Sequence, residues 1–312
     1  MLQHYFCILL FISGFSLFSQ DLQEENYTHQ VAVLVENDVF TSLYRDQYYS
    51  SGLFGTYSWL KQDHEDLKVI RSASLVQRMF TPQFVSLNDV NDFDRPYAGH
   101  LSFQIKNSRY RRNQVLQHQL EIGWMGPKTL TGDIHVNWHN FLGLIEPRGW
   151  DFEIRDSPIV NYHGTLTAKL AGNEVVELLS DSNVSLGTAF NFVRQEMIVR
   201  MGKLLPLLRS IQCNGQLGTQ KTTSKSDITD EFVFFYGLST EYNIYNSTIE
   251  GNLIGKKSPH VETPVDWILQ HQVGFLFGWK GFDFTFRYYR RSKETTEATN
   301  HQYGGVLLAR RF

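Results

Sequence analysis

Long stretches of this chain alternate apolar and polar residues with a period of two, and several of the apolar rows end in aromatic residues. Phe282, Phe284, Phe286 and Tyr288 form one row, against Asp283, Thr285, Arg287 and Tyr289. Just before it, Trp267, Leu269, Val273, Phe275, Phe277 and Trp279 share a face interrupted only by His271, while Leu116, Leu120, Ile122 and Trp124 stand against Gln117, Gln119 and Glu121. Period two is the signature of a strand with two unlike faces. A soluble sandwich also alternates, but it does not need so many long strands. Tall apolar rows with aromatic ends fit strands that face lipid and are anchored at both interfaces, with Gln, Glu and Arg turned to a lumen.

The pattern predicts twelve strands, at about 28–36, 51–61, 67–80, 96–108, 113–125, 158–171, 183–190, 193–203, 230–244, 266–279, 281–291 and 301–312. The expected fold is therefore all-β, a twelve-stranded antiparallel transmembrane β-barrel. An even count puts both ends of the chain on one side. With those ends in the periplasm, the connections after strands 1, 3 and 5 are extracellular. The segment 204–229 is a long connection without periodicity. Phe312 closes the last strand, and Arg310, on the same face, is expected to snorkel at the rim.

Residues 1–20 carry no charge and hold an apolar run from Tyr5 to Phe18, too short to span a bilayer and placed where a secretory signal lies. The expected organisation is a signal peptide over 1–20 and one barrel over 21–312. No later stretch approaches the roughly 20 apolar residues of a membrane helix. Cys213 is left alone after Cys7 departs with the signal, which excludes an internal disulfide. A net charge of −3 gives no sign of nucleic-acid binding.

One stretch breaks the rhythm. From Asp133 to Trp150 the chain reads as a polar island, with His135 and His139 four apart and Trp138 beside them. On a helix the two histidines share a face, so a short helix in an extracellular loop is expected. The i,i+4 spacing also occurs in zinc sites, but no Glu follows His135 and no third ligand is evident.

The motifs on this rim resemble the lipid A 3'-O-deacylase family of outer-membrane barrels. They are Glu36-Asn37-Asp38 followed by Asp46-Gln47-Tyr48-Tyr49-Ser50-Ser51-Gly52; Phe80-Thr81-Pro82 before Asp94-Arg95-Pro96-Tyr97-Ala98-Gly99; and Gly126-Pro127 leading through Trp138-His139 to Pro147-Arg148-Gly149-Trp150-Asp151. Later segments, Tyr245-Asn246 to Gly251-Asn252 and Arg290 to Glu294, extend the resemblance over the mature chain. It implies calcium-assisted hydrolysis of the ester that links a 3' acyl (acyloxyacyl) group to lipid A. The substrate would be lipopolysaccharide in the outer membrane, and the enzyme a monomer with its active site on the extracellular rim.

The resemblance maps catalysis onto His139, Asn37 and Ser50, and metal binding onto Asp38; from its hard carboxylate alone, Glu146 on the helical loop is a candidate second ligand for calcium, weighed evenly against a solvated loop charge. His139 is the expected general base. Asn37 either orients it or donates to the oxyanion. Ser50 is either the nucleophile or the hydroxyl that positions water, and the missing Gly-x-Ser-x-Gly elbow favours water. His135 stands where the family has Gln. Arg78 is the nearest counterpart of a family Lys on the third strand. Asp94 to Gly99 reads as architecture, with Pro starting a strand and Gly permitting close packing. Arg45, Lys128, Arg148 and Arg155 are candidates for contact with lipid A phosphates. Two rival readings are an outer-membrane phospholipase and a non-enzymatic small channel or lipid-binding barrel.

Overall fold

A computed structural model describes residues 26–41, 47–64, 67–219 and 230–312. The expected signal segment and Arg45 lie outside the described residues. Among those described, twelve antiparallel strands close into one barrel, each hydrogen-bonded to its sequence neighbours, with the first strand paired to the last. They are β1 (His29–Asn37), β2 (Tyr48–Asp63), β3 (Lys68–Thr81), β4 (Ala98–Arg111), β5 (Gln114–Met125), β6 (Ser157–Gly172), β7 (Val176–Gly187), β8 (Phe190–Lys203), β9 (Glu231–Asn246), β10 (Trp267–Trp279), β11 (Phe282–Arg291) and β12 (His301–Arg311). Closure leaves no sheet edge unpaired, as a strand structure in lipid requires.

The alternating rows face as their pattern requires. In β10, Trp267, Leu269, Val273, Phe277 and Trp279 are exposed, while Ile268, Gln270, Gln272 and Leu276 are buried inside. The interrupting His271 faces outward too, and its Nδ1 lies 2.8 Å from the Tyr236 hydroxyl on β9. His118 meets Tyr162 at 2.6 Å and His29 meets Tyr57 at 2.7 Å in the same way. A polar ring on the lipid side is thus matched by a tyrosine on the neighbouring strand, as a group denied water needs. Arg310 lays its guanidinium over the Phe282 ring at 4.1 Å and donates to the Lys280 carbonyl at 2.8 Å, the expected rim anchor.

The seventh strand departs from its expected span of 183–190: it begins at Val176 and ends at Gly187. Its outward row includes Ser180 and Ser182, and its inward row includes Leu179, which is wholly buried. Each exchange weakens the contrast between faces, so the first half of the strand carries no clear period.

The connections after β1, β3, β5, β9 and β11 gather on one rim. On the opposite rim the connections are short except for 204–230. The described part of that segment turns back into the lumen. There Leu207, Ile211, Cys213 and Leu217 pack against Ile70, Tyr110, Val115, Leu179, Ile198, Val233, Phe235 and Leu276. The segment's backbone polar groups are met by luminal side chains. The Lys68 ammonium donates to the carbonyls of Leu208 (2.7 Å) and Gly215 (2.9 Å), the Tyr110 hydroxyl donates to that of Cys213 (2.8 Å), and Glu231 accepts from the Ile211 N–H (2.7 Å). Near the loop-rich rim a second apolar cluster, including Tyr49, Phe80, Met125, Ile154 and Ile159, fills the interior. Between the two lies a polar chamber of about 390 Å³, lined by Arg78, Lys106, His163, Arg194 and Glu241 among others.

Candidate active site

The polar island forms a helix, α1 (Thr131–Leu142), in the connection 126–156. Gly126 at φ +96° and Leu130 in the left-handed region swing the chain out of β5. Gly143 at φ +67° ends the helix, its N–H donating back to the Asn140 carbonyl. Such a C-terminal turn needs positive φ, which glycine adopts without a Cβ clash. The start of the helix is seated on the outside of β4. A Cβ on Gly99 would come within 2.3 Å of the Thr129 hydroxyl and 2.7 Å of Thr131 Cβ, so only glycine lets the two backbones approach. From β3, Gln77 donates to the Thr131 hydroxyl at 3.3 Å.

Two faces of α1 differ sharply. Ile134, Trp138 and Phe141, spaced i, i+4, i+7, are 52%, 51% and 76% exposed, and Ile145 just beyond is also exposed. His135, one residue round the helix, is buried. Three hydrogen bonds organise the histidines. The Trp150 indole N–H donates to His135 Nδ1 at 3.2 Å, His135 Nε2 lies 3.0 Å from His139 Nε2, and His139 Nδ1 lies 2.6 Å from the Ile145 carbonyl. Trp150 is held in turn by the Tyr97 ring, 4.8 Å away between centroids. Gly149, at φ +126°, packs so closely on Phe93 and Tyr97 that a Cβ would overlap both rings.

The Asp94–Gly99 segment is the frame behind this arrangement, as expected. Asp94 accepts from the Tyr48 hydroxyl (2.6 Å) and from the Gln83 N–H (2.9 Å). The buried Arg95 donates to Glu294 at 2.9 Å and to the Thr248 hydroxyl at 2.8 Å, tying together the connections after β3, β9 and β11. That pairing with Arg291 and Arg95 holds the Glu294 carboxyl at about 2, below the usual range, against the opposing effect of burial, which is the largest single influence on it. Glu153, at the end of the same loop as α1, shows the reverse. Burial, reinforced by the negative charge of Asp156, pushes its carboxyl up to about 8.

On β1 and β2, Asn37 caps a single 3-10 turn (Asp38–Phe40), its Oδ1 accepting from the Val39 N–H at 2.7 Å. Phe40 lies over Gly304 of β12. Asp38 is buried, and its Oδ2 accepts from the Gln47 N–H at 2.8 Å. Gln47 is itself buried, with an Oε1 that has no hydrogen-bond partner. Ser50 is the extra residue at a bulge between Tyr49 and Ser51, and its hydroxyl lies 2.5 Å from that of Thr81.

The wall pairs Asn37 with Ser51, Ser51 with Met79, and Met79 with Gly99. Asn37, Asp38 and Ser50 therefore stand at the same height as the foot of α1, along β1 to β4. Glu146 sits on the α1 connection, half-exposed, 3.8 Å from Arg148. Arg78 is placed differently: its guanidinium faces the lumen, over the rings of Phe54 and Phe190 and 3.8 Å from Glu121. Its neighbour Gln77 is the β3 residue that reaches the helix.

Sequence reasoning did not single out Trp150, the Ile145 carbonyl or Gln47 as members of the site. Trp150 closes a motif that was noticed, and an indole N–H beside a histidine pair is a usable signal. A backbone carbonyl leaves none. The luminal cluster of Glu121, accepting from Ser102 (2.7 Å), Gln104 (3.0 Å) and His163 (2.7 Å), also went unseen, because those residues come from different strands.

A solved structure of LpxR from Salmonella typhimurium is similar over 91% of this chain and 100% of that one, with a TM-score of 0.70 and 16% identity. The β domain of the Bordetella autotransporter BrkA is similar over 92% of this chain and 100% of its own, with a TM-score of 0.52 and 9% identity. At such identities these likenesses speak for the fold. No curated protein matches the chain. Residues 5–312 match the family described as Outer membrane protein LpxR, so this chain belongs to that family of outer-membrane barrels, the lipid A 3'-O-deacylases whose motifs it carries.

Proposed function

We propose that this protein hydrolyses the ester joining the 3' acyl (acyloxyacyl) chain to lipid A, at the extracellular rim, with His139 as general base acting on water. The observation that carries this reading is the position of His139: its Nδ1 is committed to the Ile145 carbonyl, which leaves Nε2 as the basic atom. It stands on a helix outside the barrel whose neighbouring face is apolar, where the acyl chains of a lipid substrate lie. An imidazole can take a proton on one ring nitrogen while the other is held by a carbonyl, which suits a general base.

The other side chains fit supporting roles. Asn37 uses its carbonyl oxygen to cap the 3-10 turn, so its amide N–H groups are the part that can serve as donors to the developing oxyanion. The Ser50 hydroxyl is paired with that of Thr81, which favours water over serine as the attacking group.

Asp38 and Gln47 fit calcium: a buried carboxylate beside a buried, unpartnered amide oxygen is a hard-oxygen pair. Glu146, paired with Arg148 on the exposed side of its loop, fits less well. Calcium held there would supply positive charge for the oxyanion. The reading needs only one barrel, since each named residue comes from this chain.

The test is mass spectrometry of lipid A from cells carrying the native protein, the His139→Asn variant or neither. Only the native protein should remove the 3'-linked group, and His139→Asn should lower the rate by about a hundredfold to ten-thousandfold. Activity lost to a chelator should return with calcium and not with zinc. An unaltered lipid A profile with the native protein would sink the reading, and altered glycerophospholipids instead would favour the phospholipase alternative.

A further inference from the structure

At the rim where β1 begins and β12 ends, the outward faces of β2, β3 and β4 finish in cations. Lys61, Arg71, Arg109, Arg111 and Arg112 are all exposed. Ile70, Ser72, Ser108 and Tyr110 beside them in sequence are buried, so alternation turns Arg71, Arg109 and Arg111 to the outside of the barrel. Register brings them together. Arg71 stands between Trp59 of β2 and Asn107 of β4, and its Nε donates to Asn107 Oδ1 at 3.4 Å. Arg109 lies one outward position nearer the rim, opposite Val69, and Arg111 one further, with Arg112 in the turn to β5. Lys61 is the extra residue of a bulge between Leu60 and Gln62. The level is that of a lipid interface: Trp59 stacks on Tyr57 at 5.9 Å, Tyr57 on His29 at 5.7 Å and His29 on Phe312 at 5.8 Å, an aromatic girdle. One outward position toward the middle of the wall, Ala73, Ile105 and Leu120 are in register as an apolar row.

Other cations on this rim are engaged by the protein. Lys169 pairs with Glu177 at 2.8 Å, Lys280 lies over the Trp279 ring at 4.9 Å and Arg310 over the Phe282 ring at 4.1 Å. None of the five on β2 to β4 is ion-paired with a carboxylate among the described residues. Glu65 and Asp66, in the turn between β2 and β3, lie outside the described residues, and counting both still leaves five cations against two carboxylates. We propose that this patch binds the headgroup of an acidic glycerophospholipid, with the phosphodiester held by Arg71, Arg109 and Arg111. A guanidinium at the edge of the hydrocarbon is costly unless it meets an anion, and its fork matches two phosphate oxygens. With the long loops extracellular, the patch faces the periplasmic leaflet, the side away from lipopolysaccharide. A zwitterionic headgroup brings its own ammonium, which the surplus of positive charge disfavours, whereas a net negative one is drawn in. The bound lipid sits on β3 and β4, the strands that seat α1 at their other end, and holds that wall at a fixed depth in the bilayer. This binding is independent of the reaction carried out at the loop-rich rim.

The test is native mass spectrometry of the folded protein in detergent micelles, titrated with phosphatidylglycerol or with phosphatidylethanolamine. Phosphatidylglycerol should stay bound at concentrations where phosphatidylethanolamine does not. Arg71→Gln, Arg109→Gln and Arg111→Gln combined should weaken that binding about a hundredfold, from the contribution of each cation near an anionic leaflet. Lys203→Gln, Lys256→Gln and Lys257→Gln combined remove the same charge elsewhere and should leave it near native. Migration in a gel before and after boiling checks that each variant is a folded barrel. Should the triple arginine variant not fold, Arg109→Gln alone carries the test, with an expected loss of about fivefold. Equal retention of the two lipids, native binding by the arginine variants, or an equal loss in the charge-matched control overturns the proposal. So does displacement of the lipid by millimolar inorganic phosphate, which would make the patch a site for free anions.

Discussion

At the scale of single residues, a few side chains in the α1 connection matter because burial has stripped them of water. Glu153 is 5% exposed, accepts from the Gly99 N–H and has one oxygen without a partner. Burial pushes its folded carboxyl up to about 8, from an ordinary value of 4.5. Folding therefore takes up a proton between those values. The folded loop is most stable, as far as this group goes, at low pH. It loses stability as pH rises toward about 8, with no further change above that. Glu153→Gln is neutral throughout and should flatten the profile. Hydrogen exchange of the α1 amides, corrected for intrinsic rates, should show native protection falling about tenfold or more between pH 6 and 9, and the variant's protection holding. Equal falls in both proteins would show that this carboxyl is not responsible. A tenfold change corresponds to about 1.4 kcal/mol.

At the scale of elements, α1 is a guest on a rigid wall. It is not part of the strand ladder, and its seat depends on the absence of a side chain at Gly99, where a Cβ would overlap Thr129 and Thr131. Gly99→Val should therefore lift the foot of the helix while the strands pair as before. If His139 is the base proposed above, deacylation should fall about tenfold or more, because small displacements of a catalytic group are costly. Migration in a detergent gel before and after boiling should still report a folded barrel. A variant with native activity would mean that the helix can shift without moving His139. The periodicity of the strands, the island of histidines and the architectural reading of Asp94 to Gly99 were all legible in the sequence. The first half of β7 was not, because serines on its lipid side and a leucine on its luminal side blurred the two faces.

At the scale of the whole molecule, the lumen is blocked twice. The segment 204–219 folds back into one mouth, and the Tyr49–Phe80–Met125–Ile154–Ile159 cluster fills the other. A barrel of twelve strands with this interior is a scaffold, and on the function proposed above its chemistry lies outside, between its own wall and a helix. Planar bilayers containing the native protein should show no steady ion conductance. A stable open channel would revive the reading of this chain as a small pore. The luminal carboxylates and guanidiniums, such as Arg200 against Glu177 and Glu231, satisfy one another across the interior.

What the sequence by itself determined was most of what depends on local order. Alternation sets which residues face lipid, parity sets which loops share a rim, and i,i+4 spacing puts His135 and His139 on one face of a helix. These are properties of neighbours along the chain, so they can be read from it. Only the tertiary structure decided the rest. It brought the luminal Arg78 over the rings of Phe54 and Phe190, and set Gln77 of the outward row against the helix. It folded 204–219 into the barrel. It set an indole and a backbone carbonyl at the two ends of the histidine pair. Each of these depends on groups that meet across the barrel or through a loop's return path, and the geometry of such encounters is fixed when the strands close.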